Sequence, residues 1–396
     1  MKYPKLSIKL IVATYFLGGC AAHIPTDERV DRAAAQTHLL LKEVNKVKEQ
    51  NEQKNLVAPR TIEAGQLKLV PSRDWTSGFF AGNLWYLYEL TGDNTWKEQA
   101  QLYTSDIEKE KFNAGTHDMG FKIYCSYGNA YRLTHNQQYR DIIVKAAQTL
   151  STRYNAKVGA IRSWDHNQDK WEFPVIIDNM MNLELLFEAT KLTGDSSFYQ
   201  IAVAHANTTM KNHFREDFSS WHVIDYDPKT GTVVHRHTHQ GYAHHSAWAR
   251  GQAWALYGYT MCYRETHDPR YLQQAEAVAA YIFNHPHLPS DLIPYWDFDA
   301  PSIPAEPRDV SAATITASAL YELSTFDEKN ADYRAKADTI MRNIKDIYAS
   351  QPGANKGFIL GHSTGSKPSD SEVDVSLIYA DYYYLEAILR EKMMVK

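Results

Sequence analysis

The length, composition and charge of the chain already exclude some classes of protein. The 396 residues are 44% hydrophobic and carry a net charge of −5, which allows one large domain or two smaller ones with a sizeable core, and the lack of a long basic run argues against a nucleic-acid partner. The 26 Tyr and 9 Trp residues fit either a packed core or platforms for sugar faces.

The N-terminus has the pattern of a bacterial export signal. Three lysines within the first nine residues precede an apolar run over residues 10–17, which is too short to span a bilayer. The sequence then reads LGGC up to Cys20, an ending that resembles a lipobox. We therefore predict a signal peptide over residues 1–19, lipid attachment at Cys20 and a membrane anchor through that lipid, with an ordinary cleaved signal as the alternative.

The rest of the chain is predicted to form a short tether and one domain. Residues 20–35 are assigned to the tether and residues 36–396 to the domain, whose first helix is indicated by the helical period from Leu39 to Val47. Because no acidic run follows the lipobox, we expect an exported lipoprotein on the periplasmic side of a membrane. Cys125 and Cys262 lie in apolar, helix-like contexts that do not indicate a disulfide framework.

Five stretches of the domain share one pattern: an apolar helical segment, a short turn that often contains Gly-Asp or His-Asp, an aromatic residue and an Ala-rich amphipathic helix. Their turns lie near residues 92, 135, 194, 267 and 327, and a sixth helical stretch begins at Val375. The first helices, such as residues 78–90 and 180–192, are apolar nearly all round and should be buried. The pattern predicts inner and outer rings of about six helix pairs in one all-α domain, with DKWEFPVIID and FSSWHVIDYDP as the main strand candidates.

Polar and aromatic residues precede every predicted inner helix, and a ring of such helices would gather them around one cavity. Taken singly, Asp74 and Asp309 are explained as ordinary helix N-caps. Asp178 differs because it lies within the sequence VIIDNMM, where a desolvated carboxyl acquires a raised pKa and can carry a proton near neutral pH. His117 and Asp118 have similarly apolar surroundings. We predict functional roles for these residues, with plain capping as the alternative.

Several blocks, in chain order, resemble the bacterial unsaturated glucuronyl hydrolases. The resemblance runs from about residue 70 to residue 390, nearly the whole mature chain. The blocks read DWTSGFFAGNLWYLYELTGD, THDMGF, WEFPVIIDNMMNLELLFEATKLTGD, HQGYAHHSAWARGQAWALYGY and EVDVSLIYADYYYLEAIL. The resemblance implies an (α/α)6 barrel of six inner and six outer helices in a single domain, which agrees with the repeat count. It also implies chemistry that needs no metal and no other cofactor.

The implied substrate is a lyase-generated glycosaminoglycan oligosaccharide whose non-reducing uronate contains a C4=C5 double bond. An acid protonates C4, water adds at C5, and the hemiketal that results opens and expels the remaining sugar. The reaction is therefore not the displacement at the anomeric carbon that other two-carboxylate glycosidases use. By the matching motifs, Asp178 would donate the proton and then help to activate water, and Asp118 would assist nearby and hold the sugar.

The resemblance also implies residues that bind the substrate. Trp75 and Trp164 would flank the sugar ring. Arg250 would bind a carboxylate through its planar fork, with a salt bridge to a neighbouring loop as the alternative. The other implied binding residues are His117, His222, Gln240 and Trp254, and for Trp254 core packing is an alternative explanation.

A histidine cluster lies between residues 233 and 254. An H-x-H-x-H pattern in an extended segment could bind a metal, but neither an H-E-x-x-H motif nor a Cys pair accompanies it, so we predict no metal site. Most of these side chains are predicted to lie on a rim loop, with His239 and Gln240 nearest the sugar, and the role of His244 and His245 stays open. The cluster consists of His235, His237, His239, His244 and His245.

The loop GHSTGSKPSD, residues 361–370, bears on specificity. Ser363, Ser366 and Lys367 are predicted to donate hydrogen bonds to a sulfate or carboxylate on the second sugar of the substrate, the alternative being a solvated, flexible loop. These residues do not identify the parent polysaccharide.

Three other functions remain as alternatives. An unsaturated rhamnogalacturonyl hydrolase would use a similar barrel and the same chemistry on pectin fragments. A lipid-anchored glycan-binding protein would use the aromatic residues as platforms only, and it would leave Asp178 unexplained. A barrel epimerase or isomerase acting on free sugars would usually be cytoplasmic, so the export signal argues against it.

Overall fold

The computed structural model describes residues 27–50, 55–326 and 330–394. In these residues, twelve α-helices and several shorter helical turns form two concentric rings, so the predicted all-α (α/α)6 barrel in one domain is confirmed. The predicted signal peptide and the lipidation site at Cys20 lie outside the described residues.

The inner ring consists of six helical segments that pack side by side and close on themselves, since the last contacts the first. The second and third segments begin as π-helix and 3₁₀-helix before they continue as α-helix. The side chains of the inner segments are buried on nearly all sides, as their apolar sequences predict. The segments are α2 (Ser77–Thr91), Gly120–Gly128 with α4 (Asn129–Thr134), Ile177–Asn182 with α6 (Leu183–Thr193), α8 (Ala249–Thr266), α10 (Val310–Leu323) and α12 (Ile378–Met393).

Five outer helices each follow an inner segment along the chain, and their buried residues recur on one face, as in amphipathic helices. They are α3 (Asn94–Ser105), α5 (Gln137–Ser151), α7 (Ser196–Asn212), α9 (Pro269–Asn284) and α11 (Asn330–Asn343).

The sixth outer helix comes from the N-terminal part of the chain. Helix α1 spans Glu28–Gln50, and Arg29 near its start pairs with Glu391 of α12 at 2.6 Å. The prediction that residues 20–35 form a tether is therefore wrong from residue 28 onward. Val30 and Ala33 are buried against the core, so this segment completes the barrel instead of linking it to a membrane.

Four of the turns between an inner and an outer helix have the same construction. The inner helix ends at a residue in the left-handed conformation. The side chain of the next residue caps the outer helix, because it accepts a hydrogen bond from the backbone N–H of the residue two positions after it. The left-handed residues are Gly92, His135, Gly194 and His267, and the caps are Asp93, Asn136, Asp195 and Asp268. The Gly-Asp and His-Asp pairs of the repeats are thus a helix stop followed by a helix start.

The described chain also contains three short antiparallel sheets in addition to the helices of the barrel. Both strand candidates are confirmed, since β5 (Pro174–Ile176) pairs with β6 (Val223–Tyr226), and β6 pairs with β7 (Val233–His237). The structure adds two hairpins that the sequence did not predict. They are β1 (Leu56–Glu63) with β2 (Gln66–Pro71), and β3 (Tyr154–Asn155) with β4 (Ala160–Ile161).

Two further features concern the helices and the cysteines of the described chain. None of the helices within residues 27–50, 55–326 and 330–394 combines the length and the apolar character needed to cross a membrane. Cys125 and Cys262 are buried free thiols, consistent with the prediction that no disulfide framework holds the domain.

Candidate active site

A cavity of about 300 Å³ lies at the N-terminal ends of the inner helices. Residues before or at the start of five of these helices line it, which is the arrangement that the sequence predicts for a ring of helices. Eight of the predicted site residues are brought together here: Trp75, His117, Asp118, Trp164, Asp178, Gln240, Arg250 and Ser366.

Asp178 has the environment of an acid that holds its proton near neutral pH. It follows strand β5 in the turn Ile177–Asn182, its side chain is only 13% exposed, and Oδ2 has no hydrogen-bond partner in the described part of the chain. Burial raises the pKa of Asp178 to about 6, although the charges of His117 and Arg250 act in the opposite direction. A carboxyl with this pKa can donate a proton and take one back.

Asp118 lies in the same cavity, but its pKa is shifted in the opposite direction. Its Oδ1 is 3.1 Å from Nε2 of His117, and its Oδ2 accepts a hydrogen bond from the hydroxyl of Thr116 at 2.6 Å. Burial alone would raise the pKa of Asp118, but the interactions with His117 and Thr116 outweigh burial and lower it. The cavity thus contains one carboxyl group that favours its proton and one that favours its charge.

His222 supports Asp178 from behind the cavity wall. Its Nδ1 accepts hydrogen bonds from the backbone N–H groups of His239 and Gln240, each at 3.1 Å. Its proton must therefore lie on Nε2, which is 3.6 Å from Oδ2 of Asp178. Burial lowers the pKa of His222, so the ring is neutral. Although predicted to bind substrate, His222 does not line the cavity and instead contacts the acid.

Arg250 is fully buried at the start of α8, and its guanidinium is held by the protein on two sides. Nη1 donates to Asp309 at 2.7 Å, and Nη1 and Nη2 donate to the backbone carbonyls of Thr364 and Gly365 at 2.6 Å. Gln240 donates to the same Gly365 carbonyl at 3.0 Å. Both explanations given for Arg250 therefore apply, since it lines the cavity and is also bound to a carboxylate and a neighbouring loop.

The two predicted stacking residues lie on the cavity wall. Trp75 packs against Tyr379 and Phe121, with ring centroids 4.9 and 5.4 Å away. Trp164 stacks on His166 at 5.4 Å, and its buried indole N–H has no hydrogen-bond partner among the described residues. Both rings present apolar surface to the space beside Asp178.

Besides His222, three predicted binding residues do not line the cavity. Trp254 has no exposed surface and packs in the core against Phe121, which stands between it and the cavity. Ser363 is also fully buried. Lys367 pairs with Glu306 and lies over the ring of Trp296, so its ammonium is directed to another part of the loop region. Within that loop, Ser366 alone of the predicted donors reaches the cavity.

The histidine cluster divides between a strand and a loop. His235 and His237 belong to β7, whereas His239, His244 and His245 lie on the loop after the strand, as predicted for most of the cluster, and His239 lines the cavity. Nδ1 of His237 lies 3.4 Å from Nε2 of His244. Among the described residues, no group of three or more His, Cys, Asp or Glu side chains is arranged to hold a metal ion.

The structure adds cavity residues that the sequence did not single out. Arg60 comes from strand β1, and Glu372, Ser371 and Tyr379 come from the C-terminal part of the chain. Arg60 and Glu372 are 312 positions apart but form a bidentate ion pair. The Arg60 side chain lies on a hairpin with no recognised motif, so nothing in the local sequence marks it.

Comparisons with known proteins identify the family of the chain. The model of Glycosyl Hydrolase Family 88 matches residues 45–265. The chain is 53% identical over 328 residues, covering 82% of each chain, to an unsaturated glucuronyl hydrolase of Formosa agariphila. It is 35% identical over 340 residues to an unsaturated chondroitin disaccharide hydrolase of Streptococcus pyogenes, covering 82% of this chain and 83% of that protein.

A solved structure gives the same result for the fold. An unsaturated glucuronyl hydrolase described as specific for heparin superposes with a TM-score of 0.87 at 46% identity, covering 93% of this chain and 97% of the other. The similarity thus extends over nearly the whole chain. The chain therefore belongs to Glycosyl Hydrolase Family 88.

Proposed function

We propose that the protein is an unsaturated glucuronyl hydrolase that removes the C4=C5 unsaturated uronate from the non-reducing end of lyase-generated glycosaminoglycan oligosaccharides. The observation that carries the proposal is the cavity in which Asp178, with a pKa raised to about 6, faces the same space as the low-pKa carboxylate of Asp118 and the guanidinium of Arg250. The relatives named above support the reaction class.

The first step is transfer of the Asp178 proton to C4 of the vinyl ether. As the C4–H bond forms, positive charge develops at C5 and on the ring oxygen. The carboxylate of Asp118 and the new carboxylate of Asp178 stabilise this charge, because both lie in a largely buried cavity where electrostatic interactions are strong. His222 borders Asp178, with its Nε2 3.6 Å from Oδ2, and neither atom has a hydrogen-bond partner among the described residues.

The second step is addition of water at C5. Asp178, now ionised, removes a proton from the attacking water and so recovers its acid form. The product is a hemiketal at C5, which opens without further catalysis and expels the remaining sugar. One water is consumed and the proton borrowed from Asp178 is returned, so the step balances without a metal or another cofactor.

Arg250 and Gln240 are proposed to bind the uronate carboxylate. Both residues donate to the carbonyl of Gly365, and each has a further donor: Nε of Arg250 has no hydrogen-bond partner among the described residues, and the Gln240 amide has a second N–H. Trp75 and Trp164 would bound the sugar ring, and His117 would hold a hydroxyl while it fixes Asp118.

We also infer that the protein is exported and anchored by a lipid on Cys20. The support is the sequence alone: the lysines, the short apolar run and the LGGC ending. Metabolic labelling with a radioactive fatty acid tests this. Label in the wild type and none in Cys20→Ala is the expected result, and an unlabelled wild type found in the soluble periplasmic fraction would contradict it.

The activity itself is tested by following the ultraviolet absorbance of the double bond with unsaturated disaccharides prepared by lyases. We expect the absorbance to be lost with glucuronyl substrates. Turnover confined to rhamnogalacturonyl fragments would favour the pectin-directed alternative. A folded protein that turns over neither class would favour a glycan-binding function.

A further inference from the structure

A second cavity, of about 230 Å³, lies inside the ring of inner helices. Among the described residues, Phe121 is the one side chain that lines both this cavity and the active-site cavity, so its ring separates the two. Met393 at the end of α12 lines the second cavity and is 53% exposed, so the cavity reaches the surface there. Its volume is that of about eight molecules of liquid water, which suits a small ligand.

Aromatic rings surround the second cavity. Tyr383 is central among them, since its ring centroid lies 5.0 Å from that of Tyr382 and 5.6 Å from that of Tyr257. Tyr383 is only 2% exposed, yet no described residue forms a hydrogen bond with its hydroxyl, and the same holds for the hydroxyl of Tyr124. Unpaired hydroxyls beside a cavity are available to a ligand. The aromatic lining residues are Tyr86, Phe121, Tyr124, Tyr257, Tyr382 and Tyr383.

Glu386 is the first of two carboxyl groups that line the second cavity. Its Oε1 accepts hydrogen bonds from the hydroxyls of Tyr86 at 2.9 Å and Tyr257 at 3.1 Å, and its Oε2 accepts one from Ser318 at 2.5 Å. The guanidinium of Arg390 is farther away, with Nη2 3.8 Å from Oε1. The immediate partners of this carboxyl group are therefore uncharged.

Glu184 is the second carboxyl group of the lining. It pairs with Arg264, but Arg264 is shared with Glu322, whose carboxylate lies 2.7 Å away. Burial raises the pKa of Glu184, and the negative charges of Glu386 and Glu322 act in the same direction, against the charge of Arg264. A further positive charge in the cavity would therefore stabilise the ionised form of Glu184.

The two arginines of the lining are bound by carboxylates that lie outside it. Arg132 forms a bidentate ion pair with Glu89, at 2.8 and 2.6 Å. Arg390 lies 2.8 Å from the carboxylate of Glu322 and donates to the backbone carbonyl of Ser318 at 2.8 Å. Because these positive charges are already paired, the cavity offers a ligand aromatic faces, unpaired hydroxyls and carboxylate oxygens.

We propose that the second cavity binds a small primary ammonium ion, either a simple amine or an amino sugar. Aromatic faces attract a cation, and an ammonium group donates hydrogen bonds to carboxylate and hydroxyl oxygens. An anion would be repelled by Glu184 and Glu386, and a neutral ligand would leave their charges without a new partner. The inference does not depend on the proposed hydrolase function, because binding here requires no turnover.

Isothermal titration calorimetry and thermal unfolding of the full chain test the proposal. The probes are glucosamine and 2-aminoethanol, each compared with an uncharged counterpart, glucose and ethylene glycol, at matched pH and ionic strength. We expect at least one amine to bind once per chain and to raise Tm by about 2 °C at concentrations well above Kd, while its counterpart has little effect. Binding of glucosamine alone would identify an amino sugar as the ligand, and binding of 2-aminoethanol a simple amine.

Three variants locate the bound amine. Tyr383→Phe removes a hydroxyl that has no partner in the described chain, so it should fold as wild type does and raise Kd about threefold to tenfold. Glu184→Gln removes a charge and should raise Kd at least about tenfold. Glu188→Gln is the matched control, since Glu188 lies one turn further along α6, pairs with Lys191 at 3.8 Å and does not line the cavity. Its Kd should equal that of wild type.

The proposal is overturned if neither amine binds, or if the uncharged counterparts bind as tightly as the amines. It is also overturned if Tyr383→Phe and Glu184→Gln bind the amine as wild type does, because the amine would then occupy another site. Circular dichroism of each variant shows whether it is folded. If Glu184→Gln does not fold, the Kd of Tyr383→Phe decides the outcome.

Discussion

Arg60 and Glu372 join two distant parts of the chain at the mouth of the cavity. Nε and Nη2 of Arg60 donate to the two carboxylate oxygens of Glu372 at 2.6 and 2.8 Å, and the Glu372 side chain is only 7% exposed. Glu372 belongs to the segment that contains Gly365, and the two residues are also linked by a backbone hydrogen bond. The ion pair therefore fixes the loop whose Gly365 carbonyl contacts Arg250 and Gln240.

The first prediction concerns the ion pair between Arg60 and Glu372. Glu372→Gln removes the charge that holds Arg60, so the loop should become less ordered and KM should rise about tenfold, equivalent to about 1.4 kcal/mol, with a smaller effect on kcat. Steady-state kinetics on an unsaturated disaccharide measures this. Glu63→Gln on the same hairpin is the control, because its partner Lys68 forms an exposed ion pair that should contribute little. An unchanged KM in Glu372→Gln would show that the ion pair with Arg60 does not order the site.

The second prediction concerns the acid. Asp178→Asn keeps the size of the side chain but cannot donate a proton, so kcat should fall by a factor of about 100 to 10,000. The decrease in absorbance of the double bond measures the rate, and circular dichroism confirms that the variant is folded. Asp141→Asn, on the exposed surface of α5, should retain wild-type activity. A kcat within a few-fold of wild type would remove Asp178 from the mechanism.

The fold could be predicted from the sequence because its signals are local. Inner helices such as α2 are apolar nearly all round, and four of the turns contain a left-handed residue followed by a cap, as in Gly92-Asp93. The origin of the sixth outer helix could not be predicted in this way. Helix α1 is joined to the rest of the barrel by long-range contacts such as the ion pair of Arg29 with Glu391, and these contacts are not visible in its polar sequence, which resembles a tether.

The site was predictable where one residue and its neighbours contain the information. Asp178 lies between apolar residues, and its raised pKa follows from that burial. Trp254 and Lys367 were misplaced because their positions depend on which helix face and which partner they meet in the folded chain. The role of Arg60 requires Glu372, 312 residues away, and a single sequence does not reveal such a pair.

The third prediction concerns packing beneath the acid. A Cβ added to Gly258 of α8 would lie 2.5 Å from Cβ of Met180, in the turn that carries Asp178. Gly258→Ala should therefore displace this turn, lower the free energy of unfolding by about 1–3 kcal/mol and reduce kcat. Denaturant unfolding and kinetics on the same sample measure both. Gly361→Ala is the control, since its Cβ would meet no atom closer than 3.5 Å. Normal stability and kcat in Gly258→Ala would contradict the close packing.

The fourth prediction concerns pH. Since Asp178 must be protonated to act and its pKa is raised to about 6, kcat/KM should fall as the pH rises through about 6, approaching a tenfold loss per pH unit above it. Asp118, which stays ionised because its own pKa is lowered, raises the pKa of Asp178 through its negative charge.

Asp118→Asn removes that charge, so it should shift the alkaline limb of the profile to lower pH, in addition to any loss of sugar binding. The measurement is kcat/KM from pH 4 to 8 for wild type, Asp118→Asn and the surface control Asp141→Asn. The position of the limb is independent of the overall rate, so a merely structural defect would lower the curve without moving it. A limb that stays in place or moves to higher pH would mean that the charge of Asp118 does not act on the proton of Asp178.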